Sequence, residues 1–470
     1  MLPSNITYMT MQPNFADLTT IGVGGEILHF IQPTSRVAVI EAVEDADEKG
    51  LPLCVIGGGS NMLVSDNPFN GVVVRDARRT ISVQDEASPA EDGVDKSGSH
   101  IVHVNAEAGC NWDDFVSHVI SLGLEGVEGL SGIPGTVGAS VVQNIGAYGQ
   151  EVSQSVKSVE VWDRKNKITS ELSCEDMHFG YRTSLLKQSM YEDHVNSAKK
   201  SEFFPTPRYV VLSVTFCLKH SETGVVSHSQ LAHALNVSLG ERMSTSVIRR
   251  EVLRVRASKG MLEDATRYEN VWMRGSKSVD GVREALRLQS EDYVTGVWHD
   301  GDDLYSDRHS CGSFFMNPIL SVDDASRLPK DAPRFDATLP DGSLGVKTSA
   351  AWLVDHAGFH KGFKLSDVEG ALGGGAVCLG ADESACESAG ANGECASCES
   401  ACESESASAG ERKSCNAGLS SLHTLALTNR HNATCEDVAS LARAIIDGVY
   451  RSFNVRLVPE PVVIGVKIDM

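Results

Sequence analysis

Residues 123–151, GLEGVEGLSGIPGTVGASVVQNIGAYGQE, hold eight glycines and little that could build an ordinary core, and the reading of this run decides the fold. Glycine lacks Cβ, tolerates positive φ and leaves its amide open. Gly132, Gly135, Gly138 and Gly146 therefore suit a backbone that wraps an anionic or flat aromatic ligand. A floppy surface loop would have little use for Pro134, Gln143, Asn144 and Tyr148 among its glycines.

A second cluster, IGGGSNMLVSD from Ile56 to Asp66, directly follows the short apolar run Leu53–Ile56. Strand followed by glycine turn is a phosphate-binding pattern. In a doubly wound dinucleotide unit the glycines open a helix of about ten residues or more, whose N-terminus takes the pyrophosphate. Here the continuation is MLVSDNPFNGVVV, with Pro68 and two asparagines, so short strands and turns are expected instead. A nest of backbone amides over Gly57–Asn61 then holds the phosphate, and Ser60 and Asn61 add side-chain donors.

At 470 residues, two or three domains are expected. The net charge of −22, with no lysine or arginine run, argues against nucleic acid or an anionic membrane surface as partner. MLPSNITYMT has neither a positive n-region nor an apolar h-region, and no apolar stretch approaches the ~20 residues that span a bilayer. A soluble, cytoplasmic protein is the expectation. Of the 12 cysteines, Cys54, Cys110, Cys174, Cys217, Cys311 and Cys435 are scattered singly and read as reduced core residues.

The first third alternates helix and strand. Ser35 can cap a helix over Arg36–Lys49, with Val37, Ile40 and Val43 on one face, and a second helix is expected over Asp113–Leu122. SVKSVEVWD and YVVLSVTFCL read as strands, which places FGYRTSLLK on the connection between them. Near the end, Thr434 and Asp437 can open an amphipathic helix carrying Val438, Leu441, Ile445 and Val449 on one face. Residues 80–100, 188–206 and 262–304 are polar and read as insertions.

Residues 365–418 are low-complexity Ala, Ser, Glu, Cys and Gly, and are expected to be disordered. Cys395, Cys398 and Cys402 have spacings that invite a metal. The segment lacks His, however, and its drifting ACES-like units favour repeat expansion, so no metal is expected.

Five separated motifs resemble those of the UDP-N-acetylenolpyruvoylglucosamine reductases, flavoenzymes of peptidoglycan precursor synthesis. They are FADLTTIGVGG (Phe15–Gly25), IGGGSNMLVSD, GLSGIPGTVGASVVQNIGAYGQE, FGYRTSLLK (Phe179–Lys187) and GSFFMNP (Gly312–Pro318). KTSAAWLVDHAG (Lys347–Gly358) and LVPEPVVIG (Leu457–Gly465) are weaker matches in the same order. The fold this implies is α+β: a two-part FAD-binding domain of the vanillyl-alcohol-oxidase type plus an α+β substrate-binding domain, with low-complexity insertions. The expected division is 14–220 for the FAD-binding domain, 221–364 for the substrate-binding domain and 365–418 for the disordered insertion. Residues 419–470 complete the substrate domain and carry the C-terminal strand.

Non-covalent FAD and NADPH as co-substrate follow from the resemblance. It assigns FAD to Ile56, Gly57, Gly58, Gly59, Ser60, Asn61 and Met62 from the first cluster. From the second it assigns Gly132, Ile133, Pro134, Gly138, Ala139, Ser140, Asn144, Gly146 and Ala147. Tyr148, Lys259 and Asn317 are the substrate contacts, although Lys259 also reads as a solvated helix-end lysine. The implied reaction reduces UDP-N-acetylglucosamine enolpyruvate to UDP-N-acetylmuramate, with Arg182 and Glu460 stabilising the aci-carboxylate and Ser313 delivering the proton.

Two departures stand out: His228 occupies a position where many relatives carry a lid tyrosine, and Met316 stands where some carry lysine. A monomer is expected. Another FAD-dependent oxidase of the same fold, or a degenerate flavin-binding relative without activity, remain as alternatives.

Overall fold

The computed structural model describes residues 11–84, 100–192, 205–292, 306–339, 341–365 and 416–468. The cysteine-rich segment and most of residues 80–100 and 188–206 lie outside the described residues, as do 293–304.

Strands Ile27–Ile31, Phe69–Val74 and Leu53–Val55 form a parallel sheet with Phe69–Val74 in the middle. Parallel neighbours need a crossover, and the helix Arg36–Glu48 carries the chain from one edge of the sheet to the other. The Ser35 hydroxyl caps that helix by accepting from the Ala38 amide at 3.2 Å. Its buried stripe is Val39, Ala42, Val43 and Ala46, while Val37 is 61% exposed. Val37 lies about 200° round the axis from Val39, so an expectation that put Val37 on the core face chose the wrong side of the cylinder.

The larger sheet is antiparallel, ordered Ile168–Ser173, Val156–Asp163, Tyr209–His220, Ile101–Glu107 and Ile81–Val83. Both expected strands are present. Ile168–Ser173, which the sequence reading passed over, has only its alternate residues half-buried, so its hydrophobic signal is weak. The helix Trp112–Ser121 packs Trp112, Phe115, Val116 and Val119 onto this sheet beside Phe216. Burying side chains of this size stabilises by about 1.5–3 kcal/mol each.

The C-terminal half is a small antiparallel sheet, Ser310–Ser313, Ala426–Asn429 and Ala417–Leu419, backed by the helix Cys435–Phe453. Thr434 and Asp437 form the expected capping box, and Val438, Leu441, Ile445 and Val449 are all fully buried. Residues 311–365 and 417–468 share a core with Ile21, Val23 and Leu63 from the N-terminal end. The last strand, Val462–Ile464, then runs parallel to Met62–Val64. That pairing is the step that brings the C-terminus to the first glycine cluster.

Residues 262–292, polar enough to read as an insertion, are built into the fold. Tyr268, Trp272 and Met273 are buried with Phe15, Ile56 and Phe69, and the Trp272 ring meets Phe30 edge-on at 5.8 Å. Asp113 ties this segment down: it accepts from Arg249 at 2.5 Å, from Lys277 at 3.3 Å and from the Gly132 amide at 2.7 Å. Burial alone would raise the Asp113 carboxyl, but Lys277 and Arg249 override it and hold it far below the usual carboxylate range.

A depressed carboxylate contributes stability that is present above the unfolded pKa, near 3.9, and lost as pH falls below it. Asp113→Asn removes the buried anion that Arg249 and Lys277 share, leaving Arg249 with Glu284 at 2.7 Å and Lys277 with only the Asp114 carboxylate at 3.9 Å. The change should cost about 3 kcal/mol in denaturant unfolding at neutral pH. A loss below about 1 kcal/mol would show the cluster to be peripheral.

Cys54, Cys110, Cys311 and Cys435 are buried, whereas Cys174, in the turn after Ile168–Ser173, and Cys217, within the strand Tyr209–His220, are only half-buried. Burial pushes the Cys54, Cys110 and Cys311 thiols up to about 12, so they stay protonated and inert.

Candidate active site

The two glycine clusters meet. A Cβ on Gly58 would stand 2.6 Å from the Gly135 Cα, and one on Gly138 would stand 2.7 Å from the Ala108 Cβ, so both positions require glycine. Gly57–Ser60 turn back on themselves there, as expected for short turns and not a helix. Among the described residues, the amides of Gly58, Gly59 and Ser60 donate to no protein acceptor. They line a cleft together with Ile56, Asn61, Met62, Gly138 and Ala139. Such a cleft, bounded by open amides and otherwise largely apolar, fits a dinucleotide that carries a pyrophosphate between two flat rings.

A second cleft shares Ser60, Asn61, Thr136, Ala139 and Gln143 with the first. Ile133, Pro134, Ser140, Gly146, Ala147 and Tyr148 line only this one, so the assigned residues form one continuous channel over two chambers. Gly132 lines neither chamber but sits against Leu253 and Arg256. Asn144 is 1% exposed; its amide group donates to Glu151 at 3.0 Å and to the Gly180 carbonyl at 3.0 Å. Its position is behind the wall, where it anchors the turn that carries Arg182.

Arg182, Ser313 and Glu460 converge on the second chamber from three separate segments. The tight connection Gly180–Thr183 leaves Arg182 at φ +55°, a conformation that costs a non-glycine residue free energy and is retained where geometry demands it. Its guanidinium donates to the Gly146 carbonyl at 2.8 Å and meets Glu460 Oε1 at 3.1 Å. A Cβ at Gly146 would come within 2.9 Å of the same guanidinium, so this glycine makes room for the arginine.

Glu460 is fixed by backbone. Its amide donates to the Phe314 carbonyl at 2.8 Å, and Phe315 bridges Pro459, so the LVPEP and GSFFMNP segments lie side by side. Ser313, next to Phe314, therefore faces the same chamber. Gln143 Nε2 donates to Glu460 Oε1 at 3.4 Å, and Asn61 Nδ2 hydrogen-bonds Gln143 in turn. Burial raises the Glu460 carboxyl above the ordinary carboxylate range, outweighing the pull of Arg182 and Lys187. Such a group can stay protonated and donate a hydrogen bond.

The far end of the chamber is basic. Lys259 donates to Gln230 at 2.8 Å, and burial, Arg256 and Lys361 lower its pKa. Burial first, then Lys259, Lys361 and Arg256, push His423 down to about 4, so it is neutral at physiological pH. His228 meets the Tyr148 ring edge-on at 5.6 Å, and its buried Nδ1 has no hydrogen-bond partner among the described residues. Tyr148 itself is at φ +47°, followed by Gly149, where a Cβ would run into Ser227 at 2.7 Å. Asn317 lines the chamber as expected, but its side chain is engaged within the protein: its carbonyl oxygen accepts from the Ala350 amide at 2.9 Å, and it also hydrogen-bonds Tyr181.

Gln143, Lys187, Arg256 and His423 were not singled out as site residues. Gln143 and Lys187 stand inside quoted motifs and could have been; Arg256 and His423 reach the chamber by packing alone. Among the described residues no group of side chains could hold a metal ion.

A flavin-sized channel with open amides in one chamber and a buried acid–guanidinium pair in the other defines an FAD-dependent oxidoreductase. The comparisons agree: an FAD binding domain model matches residues 27–170, and a model of the C-terminal domain of UDP-N-acetylenolpyruvoylglucosamine reductase matches residues 404–464. The chain is 35% identical over 461 residues to the UDP-N-acetylenolpyruvoylglucosamine reductase of Thermobifida fusca (strain YX), covering 96% of each chain. The relative of the same name from Cutibacterium acnes is 35% identical over 451 residues, covering 96% of this chain and 89% of the relative. The chain therefore belongs to the UDP-N-acetylenolpyruvoylglucosamine reductase family. A crystal structure of the Thermus caldophilus reductase aligns over 96% of this chain and 98% of its own, at 18% identity and a TM-score of 0.44, a likeness that carries no argument by itself.

Proposed function

We propose that this protein reduces UDP-N-acetylglucosamine enolpyruvate to UDP-N-acetylmuramate with NADPH, in peptidoglycan precursor synthesis. The observation that supports this most directly is the convergence of Arg182, Ser313 and a raised-pKa Glu460 on the chamber that adjoins the glycine nest. FAD, when bound, carries hydride from NADPH to the terminal carbon of the enolpyruvyl group. Addition there leaves negative charge on the neighbouring carbon and its carboxylate.

Arg182 is placed to hold that carboxylate and compensate its charge. A protonated Glu460 adds a hydrogen bond to the developing oxyanion, as buried acids do where charge builds up. Ser313 then delivers a proton to the carbon, saturating the double bond. Gln143 and Asn61 position Glu460 from behind, Tyr148 closes the sugar side, and Asn317 holds Tyr181 at the chamber wall.

The basic end suits phosphates of the nucleotide sugar or of NADPH, with the half-buried Lys259 as the contact. Lys259→Ala should raise KM for the nucleotide sugar or NADPH by roughly tenfold or more, the cost of one charge-assisted contact, with a smaller change in kcat. Steady-state kinetics with each substrate varied would show it, and unchanged KM for both would remove Lys259 from the site.

The overall reaction is tested by anaerobic stopped flow: NADPH bleaches the flavin, and added UDP-N-acetylglucosamine enolpyruvate restores its absorbance rapidly. Bleaching without restoration would point instead to a different oxidant and the oxidase alternative. As part of the same reading the enzyme is a cytoplasmic monomer, which light scattering at the mass of one chain would check.

A further inference from the structure

The carbonyls of the glycine nest are held from behind, and one of the groups that holds them comes from residues 262–292. The Gly57 carbonyl accepts from Arg75 Nε at 3.3 Å, the Gly58 carbonyl from Arg267 Nη2 at 2.9 Å, and the Gly59 carbonyl from the Thr20 amide at 3.0 Å. In a trans peptide, the C=O of one residue and the N–H of the next point in opposite directions. Pinning these three carbonyls therefore turns the amides of Gly58, Gly59 and Ser60 away from the anchors. All three residues line the first cleft.

Arg267 also donates to the Leu18 carbonyl at 2.7 Å, so one guanidinium joins the FADL turn to the nest. Glu263 pairs with Arg267 and accepts from the Tyr268 hydroxyl, while Asn270 donates to the Asp17 carbonyl at 3.3 Å. The arginine is thus set rigidly from its own segment.

Charge behind the nest is uneven. Arg75 is only 3% exposed, and besides Gly57 it donates to the Trp272 carbonyl at 3.1 Å. No carboxylate lies within 4.0 Å of it among the described residues. Burial, then Arg79 and Arg267, lower its pKa to about 10, still charged at neutral pH. Two guanidiniums with one carboxylate between them leave a net positive charge, and the open amides it backs face a cleft. Buried charge of this kind is stabilised by a counter-ion, and the ligand fraction of matching charge and place is the pyrophosphate.

We propose that Arg267, with Arg75, is a positioning residue for the cofactor: it fixes the amide-out conformation of Gly57–Ser60 and supplies positive charge to the FAD pyrophosphate. Residues 262–292 then act as a strap that retains the cofactor, a role their polar composition conceals. This rests on the FAD reading of the first cleft, and on no contact between Arg267 and the reacting atoms.

The test uses the full-length apoprotein, titrated with FAD and, separately, with riboflavin, which has the same ring system and no pyrophosphate. Arg267→Met should raise the FAD dissociation constant roughly tenfold or more, and Arg267→Lys should recover part of the loss. Riboflavin binding should barely move. Arg267→Met leaves the Glu263 carboxylate without its cation and should lower the melting temperature of the apoprotein, whereas Arg267→Lys, which keeps the charge, should leave it near wild type. Equal weakening of FAD and riboflavin, FAD binding within twofold of wild type, or a large fall in the apoprotein melting temperature for both variants would each overturn the proposal. Failure of the wild-type apoprotein to take up FAD at all would instead overturn the reading of the cleft, and this inference with it.

Discussion

Ser313→Ala should slow return of the flavin absorbance after the enolpyruvate is added by about 10²–10⁴-fold, while bleaching by NADPH keeps its wild-type rate. A positioned proton donor contributes on that scale, and only the second half-reaction needs a proton at carbon. Ser313 lies at the end of the strand Ser310–Ser313, half-buried, with its register set by pairing to Ala426. Gly312 before it is at φ +75°, in a pocket where a Cβ would touch nothing within 4 Å, so the turn is set by backbone conformation alone. Loss of the hydroxyl removes one oxygen and leaves this backbone in place. The FAD spectrum and the first half-reaction serve as internal controls for folding. Wild-type rates in both halves would mean that another group delivers the proton.

Glu460→Gln should lower turnover by roughly 10²–10³-fold, comparable to losing one preorganised hydrogen-bond donor at an oxyanion. Glutamine keeps the shape and can still donate from its amide, so a smaller loss than for Glu460→Ala is expected. The pH profile adds a second readout. If the raised carboxyl acts in its protonated form, wild-type kcat falls as pH rises through its folded pKa, and Glu460→Gln loses that limb.

The stability sign is the same. A carboxyl whose folded pKa is raised binds its proton more tightly in the native state. Its contribution is therefore present below the unfolded pKa and lost as pH rises through the folded value. Unfolding of wild type and Glu460→Gln across that range should diverge, with the variant keeping stability at higher pH. A variant that retains both the limb and full turnover would assign the acid elsewhere.

Arg182 and Glu460 illustrate how differently two site residues are encoded. Arg182 stands inside a motif whose spacing already set it on a tight connection, yet its positive φ and its reach to Gly146 came only from the folded turn. Glu460 is stiffened by its flanking prolines. That it meets Arg182 depends on a strand pairing between residues 462–464 and 62–64, about 400 positions apart, which no local pattern encodes. Its raised pKa depends on burial, a property of the assembled core.

By itself, the sequence determined the elements whose causes are local. Glycine positions fix where backbone can approach backbone, and Thr434 with Asp437 fixes a helix start. The 3.6-residue spacing of Val438, Leu441, Ile445 and Val449 fixes the buried face. The resemblance of their motifs put Arg182, Ser313 and Glu460 forward as candidates, and the fold brings them to one chamber. Only the tertiary structure decided the rest: that residues 262–292 are packed against the nest, that Asn144 stands behind the wall, and that Arg256, Lys259 and His423 share one end of a chamber. The physical reason is range. Capping and periodicity act over a few residues, whereas burial, electrostatics and pairing between distant strands are set by neighbours that chain order does not specify.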